Sequence, residues 1–202
     1  MTTVIDFYYD LASPNSYMAN RVLPQILART GATANYIPCL LGGIFKATGH
    51  QAPWMTFANV KPKMAFGMVE FQRFIKKHNL TRFQMNPHFP LNTLMIMRGA
   101  VAADAEGELE AYIEAGERLL WEEGVNLQDP DVFVEKLTEQ GLDGAALLAK
   151  TQDPAVKAKL IENTNAAVER GVFGVPTFFL GDEMFFGKDQ LRDLEDEINE
   201  QG

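Results

Sequence analysis

Apolar positions recur along the chain with two periods, and the switches between them mark its elements. Residues Val4–Tyr9 form a short run of β-branched and aromatic side chains, as in a buried strand, that stops at Asp10-Leu11-Ala12-Ser13-Pro14. Serine followed by proline is a helix-start pair, with Ser13 as N-cap and Pro14 at the first helical position. Tyr17, Val22, Leu23, Ile26 and Leu27 then supply an apolar stripe that closes at Gly31. Residues 32–41, with Tyr36, Ile37, Cys39 and Leu40, read as a second strand ending at Gly42-Gly43.

From about residue 60 to 150 the spacing turns helical, through Met64, Met68, Phe71 and Ile75, then Leu94, Met97 and Val101, then Leu109, Tyr112, Ile113, Leu119 and Leu120. With Asp129-Pro130 and Asp143 as further start signals, this block predicts four or five helices. Asp153-Pro154 opens another, closing at Gly171. Residues 175–180 then read as a strand, Gly181-Asp182 as a tight turn, Glu183–Phe186 as its hairpin partner, and residues 190–199 as a last amphipathic helix.

The order β-α-β, helices, α-β-β-α is a thioredoxin-like α/β arrangement with a large helical insertion. It predicts one domain over residues 1–202, with a core of 1–45 and 153–202 and the insertion at about 60–150. Hydrophobic residues at 47% and charged ones at 22% suit a packed chain and exclude disorder. A net charge of −9 argues against an extended phosphate-binding surface, and no run reaches the roughly 18 apolar residues of a membrane span. The opening Met1-Thr2-Thr3-Val4 lacks the features of an export signal, so a cytoplasmic location is expected.

Thioredoxin-like redox proteins place Cys-x-x-Cys at the start of the first helix, where amides and the helix dipole lower a thiol's pKa. This chain has Ser13-Pro14-Asn15-Ser16 there, and its one cysteine, Cys39, falls on the second strand as a buried, inert thiol. Dithiol chemistry is therefore excluded, while the helix start remains a place that favours a thiolate brought by a ligand, for which glutathione is a candidate. At the other end of the core, Gly174-Val175-Pro176-Thr177 puts proline where a strand opens, a position suited to an edge or a cis bond. A cis bond would turn the backbone of Val175 outward to pair with an extended peptide-like ligand. Three histidines and one cysteine show no metal-ligand spacing, so no metal is expected.

Asp6-Phe7-Tyr8, the segment from Ser13 to Asn20 and the segment from Val172 to Asp189 closely resemble the 2-hydroxychromene-2-carboxylate isomerases and their relatives, the kappa-class glutathione transferases. The resemblance spans nearly the whole chain and implies a DsbA-like fold, a homodimer, and glutathione as a returned cofactor. It places Ser13 on the glutathione sulfur as the catalytic residue and Val175 on the cysteinyl backbone. Lys188-Asp189 falls at the γ-glutamyl end, with Ser16 and Pro176 among the contacts. His50 ends a segment, Lys46-Ala47-Thr48-Gly49-His50, where the family has asparagine, and an imidazole still offers a donor or an acceptor there. Lys63, Lys46 and Asn92 are implied contacts of an aromatic carboxylate substrate. Phe66 stands where the family has tyrosine and Glu70 where it has aspartate. The isomerases also carry arginines near Asn92, where this chain has none before Arg98.

Each residue also has an ordinary reading. Ser13 and Asn92 serve as N-caps worth about 1 kcal/mol, Pro176 opens a strand, Asp189 is an acidic first-turn residue, and Lys46 and Lys63 are solvated lysines. The methionines, Met64 and Met68 among them, fill a core or line an aromatic pocket. The expected activity is isomerisation of an aromatic catabolite by reversible thiolate addition. A kappa-like transferase or peroxidase, and a non-catalytic thioredoxin-fold binder, are the alternatives.

Overall fold

The computed structural model describes residues 2–201. β1 (Val4–Tyr9) and β2 (Thr33–Pro38) are parallel, joined by the crossover helix α1 (Pro14–Thr30) that parallel strands require. Late in the chain, β3 (Thr177–Leu180) pairs antiparallel with β1, and β4 (Glu183–Phe186) pairs antiparallel with β3. The sheet order is β2-β1-β3-β4. The α/β thioredoxin-like fold read from the sequence is present.

Alternation along β1 separates two apolar layers. Ile5, Phe7 and Tyr9 enter the main core, where Phe7 lies opposite Tyr36 and Phe178 and stacks on Phe178 at 4.6 Å between ring centroids. Tyr8 points to the other face, where it joins Cys39, Ile44, Ala167, Val175 and Phe179. Cys39 is fully buried, and burial pushes its thiol well above the usual range.

The stretch after β2 departs from the sequence expectation. The strand ends at Pro38, and helix α2 (Leu41–Thr48) contains both Gly42 and Gly43. A Cβ on Gly43 would come within 3.0 Å of Thr164 Cγ2, so glycine lets α2 pack closely against α9 (Pro154–Glu169). The start of α2 carries no side-chain cap of its own; Asp10 Oδ2 accepts from the Leu41 N–H at 2.8 Å instead. The one-turn α3 (Pro53–Thr56) follows, also absent from the periodicity.

The helical block comprises α4 (Lys61–Lys77), α5 (Leu94–Ala105), α6 (Leu109–Trp121), α7 (Pro130–Glu139) and α8 (Gly144–Lys150). Its Asp129 and Asp143 starts are true caps, the carboxylates accepting from Asp131 N at 2.9 Å and Ala146 N at 2.9 Å. After β4, a 3-10 turn at Lys188–Gln190 leads into α10 (Leu191–Gln201). Gly187, at φ 91°, makes that corner in a conformation that favours glycine. Among the described residues, no helix is long and apolar enough to cross a membrane.

Candidate active site

The loop from β1 into α1 is held by partners from both halves of the fold. Asp10 is fully buried; its Oδ1 accepts from Ala12 N at 2.8 Å, and its Oδ2 accepts from Leu41 N at 2.8 Å and Thr93 Oγ1 at 3.0 Å. Burial pushes this carboxyl up, while the two amides and the hydroxyl pull it down. The indole of Trp121, on α6, donates to the Leu11 carbonyl at 2.9 Å, and Leu11 N donates to Met97 Sδ at 3.4 Å. The helical insertion therefore fixes the loop that presents Ser13.

Ser13 caps α1 as expected, its Oγ accepting from Ser16 N at 3.2 Å. The same hydroxyl donates to the Val175 carbonyl at 3.3 Å. The Val175–Pro176 bond is cis, and the Val175 N–H has no acceptor among the described residues. Ser13 and Val175 thus share one wall of a cavity of about 490 Å³, within the ~300–1,000 Å³ range of small-molecule sites.

The opposite wall is apolar. Met64, Met68 and Phe71 reach it from α4, Trp54 from α3 and Phe89 from the loop before α5, while Phe186 of β4, whose ring lies against Gly174, lines the cavity on the Val175 side. Trp54 and Phe89 meet edge to face at 4.9 Å.

Charge enters at the rim. Lys63 lines the cavity with its ammonium 3.3 Å from the centre of the Phe57 ring. Lys188 is only 5% exposed, its ammonium 4.8 Å from the Phe74 ring centre and paired with Asp189 at 2.6 Å; the Asp189 side chain is 71% exposed. Glu70 lines the same rim and pairs with Arg73. His50, just after the left-handed Gly49 that closes α2, packs edge-on against Phe45 at 5.3 Å and Phe173 at 6.1 Å.

Of the residues singled out in the sequence, the structure brings Ser13, His50, Lys63, Val175, Lys188 and Asp189 to this cavity, with Pro176 directly behind Val175. Ser16 is buried, does not line the cavity, and has a hydroxyl without a hydrogen-bond partner among the described residues. Asn92 lines an adjoining recess of about 470 Å³, where its Oδ1 accepts from Leu94 N at 3.1 Å and its N–H donates to Gln128 Oε1 at 2.8 Å. Lys46 faces a different cleft, across α2. Phe66 is exposed and does not line the cavity. Asp10, Trp54, Phe57 and Phe89 had not been singled out from the sequence.

A serine hydroxyl at a helix N-terminus favours an anion, because the first-turn amides and the helix dipole place roughly half a positive charge there. An unpaired strand-like N–H at Val175 suits a peptide backbone. Facing them, a wall of methionine and aromatic rings receives a flat apolar body. The site therefore fits a peptide thiol and an aromatic co-substrate side by side.

Comparisons with known proteins place the chain in a family. A family model described as a DSBA-like thioredoxin domain matches residues 4–199. A 2-hydroxychromene-2-carboxylate isomerase of Pseudomonas putida is 34% identical over 197 residues, covering 95% of this chain and 92% of that protein. Glutathione S-transferase kappa 1 of Caenorhabditis elegans is 28% identical over 212 residues, covering 95% and 89%. Among solved structures, a 2-hydroxychromene-2-carboxylate isomerase matches with a TM-score of 0.83 at 30% identity, over 98% of this chain and 95% of that one.

Proposed function

Since the chain belongs to the DsbA-like thioredoxin-domain family, and within it to the group of the 2-hydroxychromene-2-carboxylate isomerases and kappa-class glutathione transferases, we propose that it is a glutathione-dependent isomerase of a bicyclic or similar aromatic carboxylate. The observation that carries this reading is the placement of Ser13 and Val175 on one wall of a cavity whose other wall is methionine and aromatic.

Bound glutathione would supply a thiol nucleophile that adds reversibly to a conjugated carbon, so that a double bond becomes free to rotate and is then restored. Ser13 has the hydrogen-bonding part. Its O–H, which now donates to the Val175 carbonyl, turns to donate to sulfur, while the α1 N-terminus favours the ionised form. The Val175 N–H and C=O hold the cysteinyl unit in strand fashion. Asp189, the more exposed partner of Lys188, receives the γ-glutamyl ammonium, and the buried Lys188 keeps its carboxylate in place. Lys63 is positioned for a carboxylate at the mouth, and Trp54, Phe89 and Met64 enclose the ring system and exclude water.

Titration of glutathione into the protein while following thiolate absorbance near neutral pH tests the reading. A saturating signal that Ser13→Ala loses, followed by turnover of 2-hydroxychromene-2-carboxylate with total glutathione unchanged, is the expected outcome. No thiolate signal overturns it. The similarity to kappa-class transferases sustains a second reading, in which the thiol is consumed on an electrophile or in reducing a peroxide, and the glutathione balance in the same assay separates the two.

A further inference from the structure

Helix α2 lines two separate clefts. Leu41 and Phe45 line the candidate active site, while Gly43, Lys46 and Ala47 line a separate cleft of about 370 Å³ enclosed with α5 and α9. Lys46 from α2, Arg98 from α5 and Lys157 from α9 converge on this second cleft, and among the described residues no aspartate or glutamate lines it. Among the described residues none of the three takes part in an ion pair, and the Lys157 ammonium meets only the neutral Gln152 Oε1, at 2.9 Å.

Three cations without a carboxylate partner around one hollow stand out in a chain of net charge −9, where carboxylates are in excess. Like charges held together repel, and an anion relieves that repulsion. Arg98 carries a second sign of a missing partner: its Nε is buried and has no hydrogen-bond acceptor among the described residues. A buried guanidinium donor without an acceptor is costly, and its planar fork matches a carboxylate. The rest of the lining is apolar, from Leu94, Leu160 and Ile161, and Ile161 is 60% exposed, a large hydrophobic side chain left open at the rim.

We propose that this cleft is a second ligand site, for a small organic carboxylate with an apolar body, its carboxylate on Arg98, Lys157 and Lys46 and its body against Ile161 and Leu160. The site is distinct from the cavity at Ser13, and the proposal does not rest on the function assigned to that cavity. An occupant would press on the helix whose opposite face carries Phe45.

Site-resolved amide NMR with 2-naphthoate as the probe tests this. Saturable shifts are expected at Gly43, Ala47 and Asn165, weakened about tenfold or more in Arg98→Gln. Lys46→Gln combined with Lys157→Gln, which alters more accessible side chains, gives the same weakening without disturbing Arg98. Gly67 and Gly174 report the candidate active site separately, so binding there neither mimics nor masks the result. Shifts confined to Gly67 and Gly174, shifts that do not saturate at millimolar probe, or shifts equally strong in the variants would overturn the proposal. Equal affinity for inorganic phosphate alone would overturn the part assigned to the apolar body.

Discussion

The Ser13 hydroxyl donates to the Val175 carbonyl at 3.3 Å, joining two residues 162 positions apart in the chain. One end of that contact starts α1 and the other precedes β3, so the pairing of β3 with β1 brings both to one end of the sheet. The helical insertion completes the arrangement, because Trp121 and Thr93 fasten the loop between them. A chemistry built on Ser13 therefore depends on three distant segments meeting correctly.

Capping and chemistry at Ser13 separate in one substitution. Glycine is tolerated at an N-cap with a loss of only a few tenths of a kcal/mol, whereas alanine costs about 1 kcal/mol. Ser13→Gly should melt within a few degrees of the wild type and still lose the thiolate signal with glutathione, with kcat/KM down by about two orders of magnitude. A variant that keeps its activity would show that Ser13 is a cap and nothing more.

Asp10 holds three donors that have no other place to go. Removing its carboxylate leaves Leu41 N, Ala12 N and the buried Thr93 hydroxyl without that acceptor, at about 1–3 kcal/mol for each group that water does not reach. Asp10→Ala should cost roughly 2–4 kcal/mol, seen as a fall in Tm of roughly 5–15 °C, together with weaker amide protection at the start of α2. A Tm within about 2 °C of the wild type would mean that water replaces the carboxylate.

The helix-start and strand signals that are local in sequence proved legible. Ser13-Pro14, Asp129-Pro130 and Asp153-Pro154 each cap the helix they announce, because the donor and the cap lie within three residues. The start of α2 was not, since its cap is Asp10, 31 residues earlier, and of the two glycines that read as a stop Gly43 serves the contact with Thr164 instead. The spacing of Met64 and Met68 announced helix α4, and of the two readings open for these methionines, core or aromatic pocket, the structure shows them lining the cavity. Trp54, Phe57 and Phe89 sit on a single helical turn and in loops, where no period exists to reveal a face. Lys46 follows Phe45 by one residue, about 100° around the helix, which is enough to place them in different clefts.

Gly99 lets α5 pack closely against Tyr112 and Phe133. A Cβ there would collide with the hydroxyl of Tyr112 and lie 2.9 Å from Cζ of the same ring and 3.1 Å from Phe133. Tyr112 has little room to retreat, since it is buried and its hydroxyl donates to the Ile96 carbonyl at 2.7 Å. Gly99→Ala should destabilise by about 1–3 kcal/mol. Combined with Tyr112→Phe, which removes the colliding oxygen, the loss should fall short of the sum of the single losses by 0.5 kcal/mol or more on the usual scale of about 0.5–3 kcal/mol for coupled neighbours. Additive losses in denaturant unfolding would place the strain elsewhere.

Glu117 gives the fold an inverted dependence on pH. It is fully buried on α6, accepts from Asn20 Nδ2 at 3.0 Å, and lies 3.8 Å from Arg21 Nε; Arg21 also serves Glu114 and Glu122. Burial pushes its carboxyl up to about 8, a rise that Arg21 and Asn20 oppose without cancelling. An unfolded glutamate titrates near 4.3, so the folded chain holds this proton more tightly than the unfolded one. The stability that results is fully present below the unfolded value and is lost as pH rises towards 8, where folding must either bury the charge or keep a proton the solvent would take. Glutamine keeps the acceptor for Asn20 and has no proton to lose. The Tm of Glu117→Gln relative to the wild type should therefore climb steadily between pH 5 and about pH 8, by on the order of 10 °C, since each tenfold difference in proton affinity is worth about 1.4 kcal/mol and each kcal/mol moves Tm by roughly 2–4 °C. Melting curves that stay parallel across that range would show that Glu117 is ionised in the folded chain and satisfied by Arg21.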